Sequence, residues 1–317
     1  MFREPWWFVS IQPGAFDLIH QHLFPIRQIG LRIPVVSTAG YPLSVRYRDA
    51  DHWGERRIRL AVALEKVGSR LFGIHNPWLI GRPGNIVSGY SLTFWAFLVG
   101  HGATPAATRV IGTGLQDLRL PPKSSDGRTL AFIGRDFDRK GGPDALRAFR
   151  ILKGRHPALR LIVATTIENV TTHNIAGEGI TVLADLGREE LLRDYMPTID
   201  VLVSPTLSDC GAPFAFLEAL QSGAAVVTSN NTWLDDRLVE PAVRRAEPGV
   251  TALVATLEDL LQPQHLAEAQ AAARPLWRQE FSMTSLHVDL LEAYSSALAH
   301  RRTQPVATSP NTVGVRS

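Results

Sequence analysis

From Thr129 onward, short apolar runs alternate with stretches of helical periodicity, which is how a parallel sheet covered on both faces reads in sequence. The strands predicted are Thr129–Ile133, Leu159–Ala164, Ile180–Leu183, Asp200–Ser204 and Ala224–Thr228, each rich in Val, Ile, Leu or Ala. Between the first two, Leu146, Phe149 and Leu152 share one face of a helix expected over Pro143–Gly154. Its entry at Gly142-Pro143 is favourable because proline at a first helical position loses no needed hydrogen bond. Further helices are expected at Arg188–Tyr195 and Phe214–Ser222, the latter closing at Gly223.

Upstream the pattern is less regular. Phe16–His20 and Pro34–Thr38 read as strands, Glu55–Val67 as a helix, and Arg70–Ile74 and Thr108–Gly112 as further short strands. Residues 115–128, rich in Pro, Ser, Lys and Gly, read as a linker between two halves.

Composition narrows the class. Of 317 residues, 45% are hydrophobic and 20% charged, enough material for two cores of an ordinary globular protein. A single cysteine, Cys210, excludes an internal disulfide and a cysteine-rich metal site. The 33 Lys and Arg against 30 Asp and Glu leave a net charge of +3, which suits an anionic small ligand and does not call for nucleic acid. The apolar run Leu92–Gly100 has nine residues, where a membrane span needs about 20. The first residues lack the continuous apolar core of a signal peptide, so a cytoplasmic protein is expected. The Trp6-Trp7 pair and the basic balance leave peripheral contact with the inner face of a membrane as an open reading.

Two constellations carry chemistry. The first, Gly134-Arg135-Asp136-Phe137-Asp138-Arg139-Lys140-Gly141-Gly142, follows a strand and leads into a helix. Ligands of open α/β sheets bind at that edge, and a helix start offers N–H groups and partial positive charge to an anion. Arg135 and Lys140 would add two cations for a diphosphate; the alternative is a solvated charge run of Arg139 and Lys140 with Asp136 and Asp138. The loop has neither the P-loop nor the GxGxxG spacing, so neither NTP hydrolysis nor dinucleotide binding follows.

The second runs from Ser204 to Leu220 and places Glu218 in an apolar helix beside Phe216, Leu217 and Leu220. A carboxylate there is costly to bury without partners. It could accept hydrogen bonds from the two hydroxyls of a ribose, or it could lie on an exposed stripe. No His, Asp and Glu cluster has metal-ligand spacing, so no metal and no cofactor are implied.

The run Phe132-Ile133-Gly134-Arg135, then Lys140-Gly141, followed by Ser204-Pro205-Thr206-Leu207-Ser208-Asp209 and by Phe216-Leu217-Glu218-Ala219-Leu220-Gln221-Ser222-Gly223-Ala224-Ala225-Val226-Val227, resembles the C-terminal domain of glycosyltransferase family 4. The resemblance implies a GT-B fold, two facing Rossmann-like domains with parallel sheets, and a retaining, metal-independent transfer of a hexose from a nucleotide diphosphate sugar. It implies that Arg135 and Lys140 bind the donor diphosphate and that Glu218 holds the ribose. Gly134, Cys210, Gly211, Ala212, Pro213 and Phe214 would line or shape the donor site. The family's first motif glutamate lies eight places before the second, where this chain has Cys210; the acid, Asp209, lies nine before, and either of the two would meet the sugar hydroxyls.

Phe16-Asp17-Leu18-Ile19-His20-Gln21-His22 resembles the family's strand end whose second histidine lies near the transferred sugar, which places His22 at the reaction centre. Ala39 stands where a histidine is usual, and Phe281 to Ala299 resembles the final helices that cross back onto the N-terminal domain.

The division expected is an N-terminal acceptor domain at 1–114, a linker at 115–128, a donor domain at 129–285, a returning helix at 286–301 and a disordered tail at 302–317. The N-terminal part is short for a complete acceptor domain, which would need roughly 150 residues. The acceptor would be a saccharide, a lipid-linked group or a small molecule. The rival expectation is a catalytically silent GT-B protein that binds a nucleotide sugar or pairs with an active partner.

Overall fold

The computed structural model describes residues 16–22, 26–27, 33–38, 74–75, 86–100, 104–230 and 233–302, together with Gly54 and several positions of a helix between 56 and 71. Strands are β1 Ile19–His22, β2 Ile26–Arg27, β3 Val35–Thr38, β4 Ile74–His75, β5 Ile86–Gly89, β6 Thr108–Val110, β7 Thr129–Ile133, β8 Arg160–Thr165, β9 Ile180–Ala184, β10 Val201–Ser204, β11 Ala225–Ser229 and β12 Val243–Ala246. Seven helices matter here: α1 Leu92–Gly100, α2 Gly142–Arg155, α3 Ile167–Thr172, α4 Phe214–Ser222, α5 Val250–Leu260, α6 Pro263–Glu280 and α7 Met283–Arg302.

The C-terminal half is a six-stranded sheet in the order β9-β8-β7-β10-β11-β12, every neighbouring pair parallel. Counted from β7 this is 3-2-1-4-5-6, the doubly wound order, and its direction reverses between β7 and β10. Side chains alternate across the sheet by the period of two that strands impose. Leu130, Phe132, Leu161, Val163, Val201 and Val203 bury against α2 and α5, while Ala131, Ile162, Ala164, Leu202 and Val226 bury against α4 and α6. Both faces are therefore covered, as the unbroken apolar strands require.

The N-terminal half holds a four-stranded parallel sheet in the order β1-β3-β5-β6. Its buried Val36, Ile86 and Ile111 pack on Ala293 and Ala297 of α7, one helical turn apart, with Leu18, Leu286, Leu290 and Tyr294 at the margin. The small alanines let the helix approach the sheet closely. Tyr294 also shares a hydrogen bond of 2.7 Å with Nδ1 of His20, whose Nε2 meets Thr38 Oγ1 at 2.8 Å.

The structure moves some boundaries. The strand expected at Phe16–His20 is Ile19–His22, because pairing with Val35–Thr38 sets its ends and the polar Gln21 and His22 give no apolar signal. Of the strand expected at Arg70–Ile74, Leu71 is helical and Ile74 begins β4, while positions 70, 72 and 73 lie outside the described residues. The helix expected at Arg188–Tyr195 begins as one α-turn, Arg188–Glu190, and continues as a π-helical stretch to Tyr195, ahead of Pro197. The segment 115–128 is tied to the C-terminal half. Leu118 N–H donates to Gln221 Oε1 at 2.8 Å, Gln221 Nε2 returns a bond to Gln116 O at 3.0 Å, and Ser124 N–H donates to Pro197 O at 2.9 Å.

The halves meet through aromatic contacts and a hydrogen bond. Phe94 and Phe97 of α1 stack edge-on against Trp233, and the Leu92 N–H at the start of α1 donates to Asp236 Oδ2 at 2.7 Å. Among the described residues no helix is long and apolar enough to cross a membrane.

Candidate functional site

The loops that follow β7 and β10 lie side by side at the point where the strand order reverses. After β7, the Gly134 amide still bonds Ala164 O at 3.0 Å, and the chain then turns into α2 through Gly141. Gly141 has φ +76°, and a Cβ there would lie 2.2 Å from the carbonyl oxygen of Pro205. Only glycine lets the two loops approach this closely.

That approach brings opposite charges together. Lys140 Nζ forms an ion pair with Asp209 Oδ2, with only 18% and 14% of the two side chains exposed. Arg139 Nη1 lies 3.6 Å from Asp209 Oδ1, and its Nε bonds Asp136 at 2.5 Å. Thr206 Oγ1 donates to Arg139 O at 3.3 Å, and Leu207 N–H donates to the same oxygen at 2.9 Å. The charge run of the first motif is thus divided: Arg139 holds Asp136, whereas Lys140 turns across to the second loop.

Arg135 differs from Lys140. Its side chain is exposed and makes no ion pair among the described residues, while its carbonyl oxygen is fixed by Asn169 Nδ2 at 2.6 Å. A guanidinium on an anchored backbone at the cleft edge can turn toward an incoming anion.

Cys210 follows Asp209. Burial, aided by the neighbouring carboxylate of Asp209, pushes its thiol up to about 12, against the opposing pull of Lys140 and Arg139. It is a packing group rather than a nucleophile at neutral pH. The folded protein should therefore leave Cys210 unmodified by iodoacetamide at neutral pH and become alkylated in concentrated guanidinium. Comparable rates in both states, read by mass spectrometry, would contradict this burial.

Gly211 closes the loop against the other half of the molecule. Its N–H donates to Trp233 O at 2.9 Å and its φ is +65°; a Cβ would lie 2.7 Å from that of Tyr90 and 3.2 Å from Thr113 Oγ1. Ala212 is buried, and Pro213 precedes the first turn of α4. Phe214 is 58% exposed at that turn, where Pro213 O takes the amides of Phe216 and Leu217 and those of Phe214 and Ala215 have no carbonyl within the helix to meet.

Glu218 lies one turn further along α4 and is 5% exposed. Burial raises its carboxyl above the usual range, and the Arg188 hydrogen bond and charge oppose that rise. Arg188 Nε donates to Glu218 Oε1 at 2.8 Å, and Nη2 reaches the same oxygen at 2.6 Å. The exposed-stripe alternative for Glu218 is excluded by this burial. Sequence reasoning missed Arg188; its signal was a cation directly after Gly187 at a strand end. His22 ends β1, paired with Thr38, and its side chain lies outside the described residues. Among the described residues no group of three or more His, Cys, Asp and Glu side chains is placed to hold a metal ion.

Known proteins can now be set beside this geometry. Residues 127–263 match the family of glycosyl transferases group 1. No curated protein matches the chain. Among solved structures, sucrose-phosphate synthase from Thermosynechococcus elongatus is similar over 90% of this chain and 74% of its own, at 17% identity and a TM-score of 0.66. A glycosyltransferase from Rickettsia africae is similar over 89% and 77%, at 14% identity and a TM-score of 0.61. HepE from Anabaena, solved in complex with UDP and glucose, is similar over 84% and 72%, at 15% identity and a TM-score of 0.59. The fold is GT-B. The Lys140–Asp209 pair lies in the C-terminal doubly wound unit, where the loops after β7 and β10 meet.

Proposed function

We propose that this chain is a retaining glycosyltransferase of the family 4 type, which moves a hexose from a nucleotide diphosphate sugar to a hydroxyl acceptor without a metal ion. The observation that carries this reading is Lys140, placed at the switch point of the sheet beside the start of α4. When the bond from the sugar C1 to the diphosphate oxygen breaks, negative charge grows on the leaving group. Lys140, the exposed Arg135 and the amides of Phe214 and Ala215 at the start of α4 would stabilise it, which is where such catalysis gains most. The acceptor oxygen bonds C1 and its proton leaves with the departing phosphate, so the step balances with no further reactant.

Asp209 has a double part in this scheme. It holds Lys140, and a donor diphosphate would take over that cation and release the carboxylate toward the sugar hydroxyls. His22 would approach the sugar from the N-terminal side. HepE, a neighbour of the same fold, is solved with UDP and glucose, which supports a sugar nucleotide as the ligand class here.

A melting panel with UDP, GDP, ADP and TDP, free of metal, tests the proposal. A nucleotide at a hundredfold its Kd stabilises by about 2.7 kcal/mol, or roughly 5–10 °C for a domain of this size. One base giving such a shift supports the donor site and selects the donor for transfer assays. No shift with any of the four overturns it.

A further inference from the structure

We propose that Arg188 is a positioning residue that turns one oxygen of Glu218 toward the ribose of the bound nucleotide and so sets the preference for ribonucleotides. This deepens the reading of Glu218 as a ribose contact and rests on it. The arrangement is lopsided: both Arg188 bonds fall on Oε1, and among the described residues Oε2 receives none. A carboxylate in this setting has one oxygen held in place and the other left to accept from a ligand hydroxyl.

Position favours a ligand-facing part for Arg188 over a mere surface pair. It follows β9 at the carboxyl edge of the sheet, the edge where GT-B ligands bind, and 55% of its side chain stays exposed although its partner is buried. Glu218 is flanked on α4 by the buried Phe216, Leu217, Ala219 and Leu220, so no water-filled surface serves it in place of the guanidinium. Arg188 is the one charged group acting on the Glu218 carboxyl among the described residues. Without Arg188, burial would act unopposed and the carboxyl would keep its proton to higher pH than in the parent, losing acceptor capacity below it.

The experiment measures Kd for UDP, GDP and ADP, for their 2′,3′-dideoxy counterparts and for pyrophosphate, in the parent chain, Arg188→Ala, Arg188→Lys and Glu218→Gln. The parent is expected to prefer the ribonucleotide that binds it by about tenfold over the dideoxy form, as a hydrogen bond to a charged group gives. Arg188→Ala should lower that preference to about twofold, because the Glu218 carboxylate is then no longer held by its Oε1. Pyrophosphate affinity should stay constant, and Arg188→Lys should keep most of the preference. An Arg188→Ala protein with the parent's preference overturns this inference and leaves the Glu218 reading standing. Equal losses for nucleotide and pyrophosphate also overturn it, since they mark a general disturbance of the site. No ribose preference in the parent, or an undiminished one in Glu218→Gln, overturns the ribose reading itself.

Discussion

Lys140→Ala is expected to cut sugar transfer by about a hundredfold or more, equivalent to roughly 2.7 kcal/mol or above, the loss seen when one preorganised group facing developing negative charge is removed. Affinity for the nucleotide should fall with it, because the same cation meets the ground-state diphosphate. Stability is the complication. The substitution leaves Asp209, only 14% exposed, with Arg139 at 3.6 Å as its nearest remaining cation, and an orphaned, largely buried carboxylate costs about 1–3 kcal/mol. The double variant Lys140→Ala with Asp209→Asn separates the two effects: melting should return most of the way to the parent value while transfer stays lost. Full transfer by either protein would remove Lys140 from the reaction.

Gly141→Ala should be the most damaging single change to the fold near the site. The residue would be forced into the left-handed region, at about 1–2 kcal/mol, and its new methyl would overlap the Pro205 carbonyl, adding about 1–3 kcal/mol of overpacking. Neither element can yield freely. Pro205 follows directly on β10, and Gly141 O accepts the Ala145 amide that begins α2, at 3.0 Å. The melting temperature should fall by roughly 5–15 °C, and the two loops should separate, loosening the Lys140–Asp209 pair. A calorimetric scan showing a fall below about 1 °C would mean the loops are not packed as described.

The C-terminal fold was legible because its signals are local. α4 was read correctly at both ends: Pro213 and Gly223 punctuate it, and Gly223 takes the left-handed φ of +85° that closes a helix. The strand edges at Leu159 and Ala224 slipped by one residue because backbone bonds decide them. Leu159 N–H, for instance, still bonds His156 O within a turn. In the N-terminal half, β5 is only Ile86–Gly89, too short for an apolar run to stand out, and α1 read as an apolar stretch of no stated form.

Site chemistry divides in the same way. The motifs located Lys140, Asp209 and Glu218, but not their partners. Asp136 and Asp138 are nearer to Lys140 in sequence than Asp209, which is brought to it by the parallel pairing of β7 with β10. Arg188 meets Glu218 across 30 positions, a distance at which no spacing rule operates.

The His20–Tyr294 bond joins residues 274 positions apart, and the small core formed by Val36, Ile86 and Ile111 is completed by Ala293 and Ala297. On the ribosome, the first half of the polypeptide therefore emerges well before the helix that shields it. The later half, whose six strands β7 to β12 pair only with one another, waits on no strand of the earlier half to form its sheet. The early strands thus pass through synthesis with an apolar face that only the last helix covers, the condition under which nascent chains depend on chaperones.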